Sequence, residues 1–335
     1  MAIARSWHHA HEVSGPEPAL FEDIEALNHV FSEAFTERYR RDGLVGVRVP
    51  PLNPAVWRYA IEDAAGGAML WRDETGDVAA FNVAHCSGTE GWMGPLAVHP
   101  DHQDAGLGKS IVVAGVDWLR QHGARVIGLE TMPRTMDNIG FYSALGFVPG
   151  RLTVTVTLDS AAGEHRALLL GRLPLGERDV AVEECRALVT AERPGYDFTR
   201  EIRLTNELAL GETVLLRERG RLIGFAVCHT APLVEGRVRE ELRVLKLVLG
   251  RADRLDSMLA VLRDFARRSG TRRVALRIQG EYENVYSRLI ALGARVRWTD
   301  LRMTLAGAAE PAAELADEGE RRGGGSGLVL SNWEV

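Results

Sequence analysis

Lysine is nearly missing from this chain: of 40 basic residues, only Lys109 and Lys246 are not arginine. That bias reflects codon usage and carries no mechanism. Cysteine is scarce as well. Cys86, Cys185 and Cys228 are an odd number, far apart in apolar segments, which excludes a disulfide framework and fits reduced core thiols. Positive charge is not in excess, the formal net charge being −6, so a nucleic-acid partner is not expected. There is no run of 18 uncharged apolar residues and no signal-peptide core at the N-terminus, so the expectation is a soluble, cytoplasmic protein with no membrane partner. His8, His9 and His11 have no partner at ligand spacing, and no metal is expected. What is present is enough apolar material, 46% of 335 residues, for two cores of about 150 residues each.

The most informative stretch is Pro95-Leu96-Ala97-Val98-His99-Pro100-Asp101-His102-Gln103-Asp104-Ala105-Gly106-Leu107-Gly108-Lys109-Ser110. An apolar strand breaks into a turn and restarts as a helix at two glycines. Without a Cβ, Gly106 and Gly108 let the backbone come close to a ligand, and the free N–H groups and dipole of the first helical turn favour a pyrophosphate. Gly108-Lys109-Ser110 could end a nucleotide-binding P-loop, with residues 126–130 as its acidic strand. That loop needs a glycine where this chain has Gln103, because its backbone wraps around the phosphates.

The pattern Gln103-x-x-Gly106-x-Gly108, preceded by Val98-x-Pro100, instead resembles the acyl-CoA signature of the GNAT N-acetyltransferase superfamily. Farther on, Asn138-Ile139-Gly140-Phe141-Tyr142-Ser143-Ala144-Leu145-Gly146-Phe147 resembles that family's second motif, N-x-x-F-Y-x-x-x-G-F. The resemblance implies acetyl-CoA as acyl donor, held by Gln103, Asp104, Ala105, Gly106, Leu107, Gly108, Lys109, Ser110 and Asn138. It also implies N–H donors on a splayed strand at Ala97 and Val98, and Tyr142 as the acid that protonates the leaving thiolate. The place where some relatives hold a catalytic glutamate is Trp92 here, which cannot accept a proton. Glu90, two residues earlier on the same strand face, is the candidate base, and a water-relayed base stays open. The expected reaction is direct transfer of an acetyl group to a primary amine of a small molecule or peptide. The alternative is a non-catalytic acyl-CoA-binding or regulatory module. The acceptor and the oligomeric state are open.

The apolar periodicity predicts helices over 20–35 and 54–64, a hairpin of 68–72 with 78–86, a strand over 92–98, and the glycine-started helix ending at Gly123. A strand over 125–131, a helix over 137–145 and a strand over 152–158 complete the first half. The sequence then begins again: a shift of 147 residues places His122-Gly123 on Ser269-Gly270, Trp118 on Phe265, and Leu145-Gly146 on Leu292-Gly293. The fold class expected is therefore α/β (α+β), two GNAT-like domains in tandem, each a mixed, mostly antiparallel twisted sheet flanked by helices. The boundaries read as 1–158 for the acyl-CoA domain, 166–305 for a degenerate copy, 306–327 for a flexible linker and 328–335 for a strand returning to a sheet edge. In this register Gly250 falls on Gln103, Asp253 on Gly106 and Leu255 on Gly108, so the second copy is expected to bind no acyl-CoA.

Overall fold

The computed structural model describes residues 12–164, 166–310 and 327–334. The first half runs β1 (Val13–Pro18), α1 (Ile24–Arg41), α2 (Pro54–Ala64), β2 (Ala68–Asp73), β3 (Val78–Ser87), β4 (Glu90–Val98), α3 (Leu107–Gln121), β5 (Val126–Thr131), α4 (Met136–Ala144) and β6 (Phe147–Asp159). After β7 (Leu168–Leu169), the same order returns as α5 (Leu175–Glu192), α6 (Thr199–Glu207), β8 (Gly211–Glu218), β9 (Arg221–His229), β10 (Glu241–Leu249), α7 (Leu255–Arg268), β11 (Arg273–Gln279), α8 (Glu283–Ala291) and β12 (Arg295–Leu305), before β13 (Leu328–Ser331). This is the mixed α/β architecture that the sequence led us to expect. No helix of the described residues is long and apolar enough to cross a membrane.

Local chemistry sets the elements. Asn53 starts α2 by accepting the Ala55 N–H at 3.0 Å, with Pro54 supplying a preformed first helical angle. Asp73 closes the β2–β3 turn by accepting from the Thr75 and Asp77 N–H groups. Almost every residue of β3 is buried, because helices cover both faces of the sheet there. Phe81 and Val83 pack with Val56 and Trp57 on the α1–α2 side, and Ala80 and Ala84 pack with Ile111 and Val116 of α3 on the other. Gly115 sets how closely α3 sits, since a Cβ there would fall 2.3 Å from Asn82 Nδ2 and 2.5 Å from Met93 Sδ.

The halves are not separate sheets. All strands of the described residues join one sheet in the order β1-β2-β3-β4-β5-β12-β6-β11-β10-β9-β8-β7, with β13 paired to β10. The last strands are exchanged: β12 lies against β5 with Leu301 opposite Thr131, while β6 lies against β11 with Val156 opposite Leu276.

Two expectations are corrected. The C-terminal strand does not return to a sheet edge. β10 pairs with β9 on one side and with β11 over only 241–243 on the other; β13 enters on that second side, antiparallel to residues 246–249. It fills the fork that opens where β11 leaves β10. The register of the second copy is also shifted. The 3-10 turn Ala252–Arg254 runs directly into α7, whereas four residues, 103–106, separate the turn Pro100–His102 from α3. Leu255 therefore matches Leu107, Asp253 lies in the preceding turn, and the segment carrying Gln103 and Gly106 has no counterpart. His8, His9, His11 and most of the 306–327 linker lie outside the described residues.

Candidate functional site

β4 pairs with β3 along its length but with β5 only over residues 90–93. Beyond Met93 the strands diverge, and the backbone of residues 94–98 faces a cleft of about 660 Å³. This is the first-half equivalent of the fork that β13 fills in the second half. The N-terminus of α3 faces the same cleft. Gly106 sits at φ +82°, a left-handed conformation that costs a residue with a Cβ more than it costs glycine. The Lys109 and Ser110 N–H groups turn back to the Gly106 carbonyl at 3.1 and 3.3 Å, which leaves the Leu107 and Gly108 N–H groups at the helix end without intrahelical acceptors. Gln103 Nε2 donates to the Val98 carbonyl at 3.0 Å and ties the loop to β4.

Most residues singled out from the sequence meet here. Ala97, Val98, Gln103, Asp104, Gly106, Gly108, Lys109, Asn138 and Tyr142 line the cleft. Ala105 and Ser110 are exposed beside it, and Leu107 turns into the core under α3. Arg38 and Arg41 of α1 add positive charge to the lining. The residues thus suit an acyl-CoA: a helix N-terminus with small residues for the pyrophosphate, and a splayed strand for the extended arm.

Tyr142 is 7% exposed, and its ring packs edge-on against Phe147. Burial pushes its phenol well above the usual tyrosine value, which keeps the proton on the oxygen until a strong base develops next to it.

Glu90 lies elsewhere. Its carboxylate is fully buried at the far end of β4, accepting from Trp333 Nε1 at 2.9 Å and Ser331 Oγ at 2.7 Å, with Lys246 Nζ at 3.6 Å. It joins β4 to the C-terminal segment and does not line the cleft. Glu130, near the end of β5, is buried too. Burial favours its neutral form, but Arg277 and Arg302 outweigh that and, with a 2.6 Å hydrogen bond from Thr153, hold the carboxyl at about 2.

Sequence reasoning missed Asp300. It stands on β12 and lines the cleft with Thr131, Met132 and Tyr142. Burial raises its carboxyl to about 6, an effect that nearby Arg277 only partly offsets. No local pattern could have flagged it, because strand exchange alone brings it to this cleft.

The family model described as "Acetyltransferase (GNAT) family" matches residues 22–147, the span from the start of α1 through the Tyr142 motif. This part of the chain matches a GNAT acetyltransferase domain. Among curated proteins, the [Ribosomal protein bS18]-alanine N-acetyltransferase of Escherichia coli (strain K12) is 31% identical over 74 residues, which is 22% of this chain and 50% of that protein. The chain thus spans half the length of the curated relatives it matches. Among solved structures, a putative acetyltransferase from Pyrococcus horikoshii superposes with a TM-score of 0.62 at 15% identity, covering 95% of both chains. A tandem GNAT protein from the clavulanic acid biosynthesis pathway gives a TM-score of 0.57 at 13% identity, over 88% of this chain and 98% of that one. At such identities the likeness is one of fold, and it extends over both halves.

Proposed function

We propose that this chain is an N-acetyltransferase that moves an acetyl group from acetyl-CoA directly to a primary amine. The observation that carries the reading is the meeting of three features in one cleft: the backbone of residues 94–98, which has no strand partner on its β5 side, the open N-terminus of α3 and the buried Tyr142 phenol. Acetyl-CoA supplies an activated thioester. The N–H groups at Leu107 and Gly108 hold its pyrophosphate, aided by the helix dipole. Asn138 borders the arm. Backbone N–H groups around Ala97 and Val98 polarise the thioester carbonyl, and Tyr142 protonates the sulfur as it departs. Release of free CoA with a panel of primary amines, including peptides with a free N-terminal alanine like the acceptor named for the relative, tests this. Amine-dependent release is expected; its absence across the panel overturns the reading.

Gly108→Val is expected to weaken acetyl-CoA binding at least tenfold, because the added side chain stands between the helix end and the ligand. A Cβ at Gly108 already comes to 3.4 Å from the Phe141 ring, so the further methyls have little room except toward the cleft. Calorimetric titration checks this, and unchanged affinity would remove Gly108 from the binding loop.

We also propose the division 1–158 and 166–305, with the second part a degenerate GNAT-like copy that binds no acyl-CoA. The loss of the four-residue loop before α7 and the presence of β13 in the fork between β10 and β11 support this. Titration is expected to give one acetyl-CoA per chain; two equivalents of similar affinity would overturn it.

A further inference from the structure

The cleft has five acidic side chains in its lining; three are held by arginines in ion pairs that keep them ionised, and a fourth stands exposed at the phosphate end. Glu37 is held by Arg40 and Arg41 at 2.7 and 2.8 Å. Asp137 is largely exposed and pairs with Arg38 at 3.1 Å. Asp104 is exposed in the glycine loop, at the phosphate end. Glu130 is locked between Arg277, Arg302 and Thr153. The fifth, Asp300, is contributed by the other half of the chain. It sits on β12 next to Leu301, whose partner across the sheet is Thr131 at the end of β5. Its carboxylate is oriented by two donors, Trp298 Nε1 to Oδ1 at 3.1 Å and the Arg277 guanidinium to Oδ2 at 2.9 Å.

We infer that Asp300 is the general base of acetyl transfer, delivered to the first-half cleft by the exchanged strand β12. This rests on the acetyltransferase reading above. As the amine nitrogen attacks the thioester carbon, the C–N bond forms and the C–S bond breaks. Asp300 takes the proton the nitrogen sheds, and Tyr142 gives its proton to the sulfur. Solvent returns a proton to Tyr142 and removes one from Asp300, so amine and thioester become amide and thiol with no other reactant.

The environment divides the two neighbouring carboxylates into distinct roles. Arg277 faces both, but Glu130 also takes Arg302 and Thr153 and stays ionised as a structural anion, while burial leaves Asp300 titrating near 6, close to the operating range of a base at neutral pH. The groups that face Asp300 are Arg277 from β11, Glu130 from β5, Glu334 from the C-terminal segment and Tyr39 from α1. The assignment also gives the second half a reason to be kept after losing its own loop: without β12 the cleft that Tyr142 lines has no carboxyl that titrates near neutral pH.

The test is D300N in the full chain, with acetyl-CoA and whichever amines of the panel the wild type acetylates. We expect kcat/KM to fall by about 10²–10⁴-fold at neutral pH, with acetyl-CoA affinity within twofold of wild type. For a basic amine, log kcat/KM of the wild type should rise with pH at a slope of one above about 6, from acceptor ionisation, and at a slope of two below it. The variant should keep a slope of one throughout, a change that a purely structural role would not produce. Stability provides a control. An acid whose folded pKa is raised costs the native state stability as pH climbs from its ordinary value of 3.8 to the raised one of about 6, and the loss is complete above it, so D300N should melt no lower than wild type at pH 8. If it does melt early, the wild-type profile decides alone, and a slope of one down to pH 5 overturns the assignment. Wild-type turnover with D300N inside twofold overturns it too and leaves the acetyltransferase reading standing. No amine-dependent CoA release from the wild type overturns both.

Discussion

Tyr142→Phe is expected to lower kcat by about 10²–10⁴-fold while leaving the fold and acetyl-CoA affinity intact. The substitution removes one oxygen and keeps a ring that packs against Phe141 and Phe147 at centroid distances of 5.2 and 6.1 Å, so the core under α4 keeps its shape. What is lost is the proton that the departing thiolate needs. A free thiol has a pKa near 8.5, while burial holds the Tyr142 phenol well above its usual value. The phenol therefore stays protonated at neutral pH, and its proton is called on only when the C–S bond breaks and leaves a thiolate whose basicity the same buried surroundings raise, which is why the effect should fall on kcat and not on acetyl-CoA binding. Steady-state kinetics with a saturating acceptor make the measurement. A kcat within twofold of wild type, with chemistry limiting turnover, would reduce Tyr142 to a packing residue.

Glu90→Ala is expected to act in the opposite way, costing about 3–5 kcal/mol of stability. The carboxylate and Lys246 are both essentially excluded from solvent, 3.6 Å apart, with Ser331 Oγ accepting from Lys246 Nζ at 2.7 Å and donating to Glu90 Oε2 at 2.7 Å. Removing the acid leaves a buried ammonium with only Ser331, the Asn332 carbonyl at 3.3 Å and the face of Phe198 for compensation. It also strips the Trp333 indole N–H of its acceptor. The C-terminal segment should loosen first, since β13 is held to β10 at the same place. Urea unfolding of the full chain checks the loss. A catalytic base would behave differently, giving a large fall in kcat with an unchanged unfolding midpoint, and that outcome would bring Glu90 back into the chemistry.

Much of the site was legible from short stretches of chain. Gly106 takes the left-handed conformation at the start of α3, Gln103 ties the loop to Val98, and Asn138 and Tyr142 reach the cleft that the glycine loop borders. Each of these outcomes depends on backbone geometry within a few residues or on one βαβ unit, and such geometry is written by neighbouring residue types. Repetition was legible for the same reason: β11 and α8 begin 147 residues after β5 and α4, because each copy must place the same apolar face on the same kind of sheet.

The sequence by itself determined the glycine loop, the aromatic motif on α4 and the duplicated element order. Which strand lies beside which was decided only by the tertiary structure. Glu90, two residues before Trp92 on the same face of β4, is the base candidate along the strand, yet the fork opens beyond Met93 and leaves Glu90 at the sealed end, under Trp333. The C-terminal strand reads as an edge strand, but the gap between β10 and β11 offers it more buried hydrogen bonding than an edge would. Asp300 is far from Thr131 in the chain and reaches the cleft only because β6 and β12 trade places. Strand pairing satisfies backbone N–H and C=O groups that are alike at every residue, so the choice of partner lies in burial and fit over the whole sheet, and no local stretch of sequence carries it.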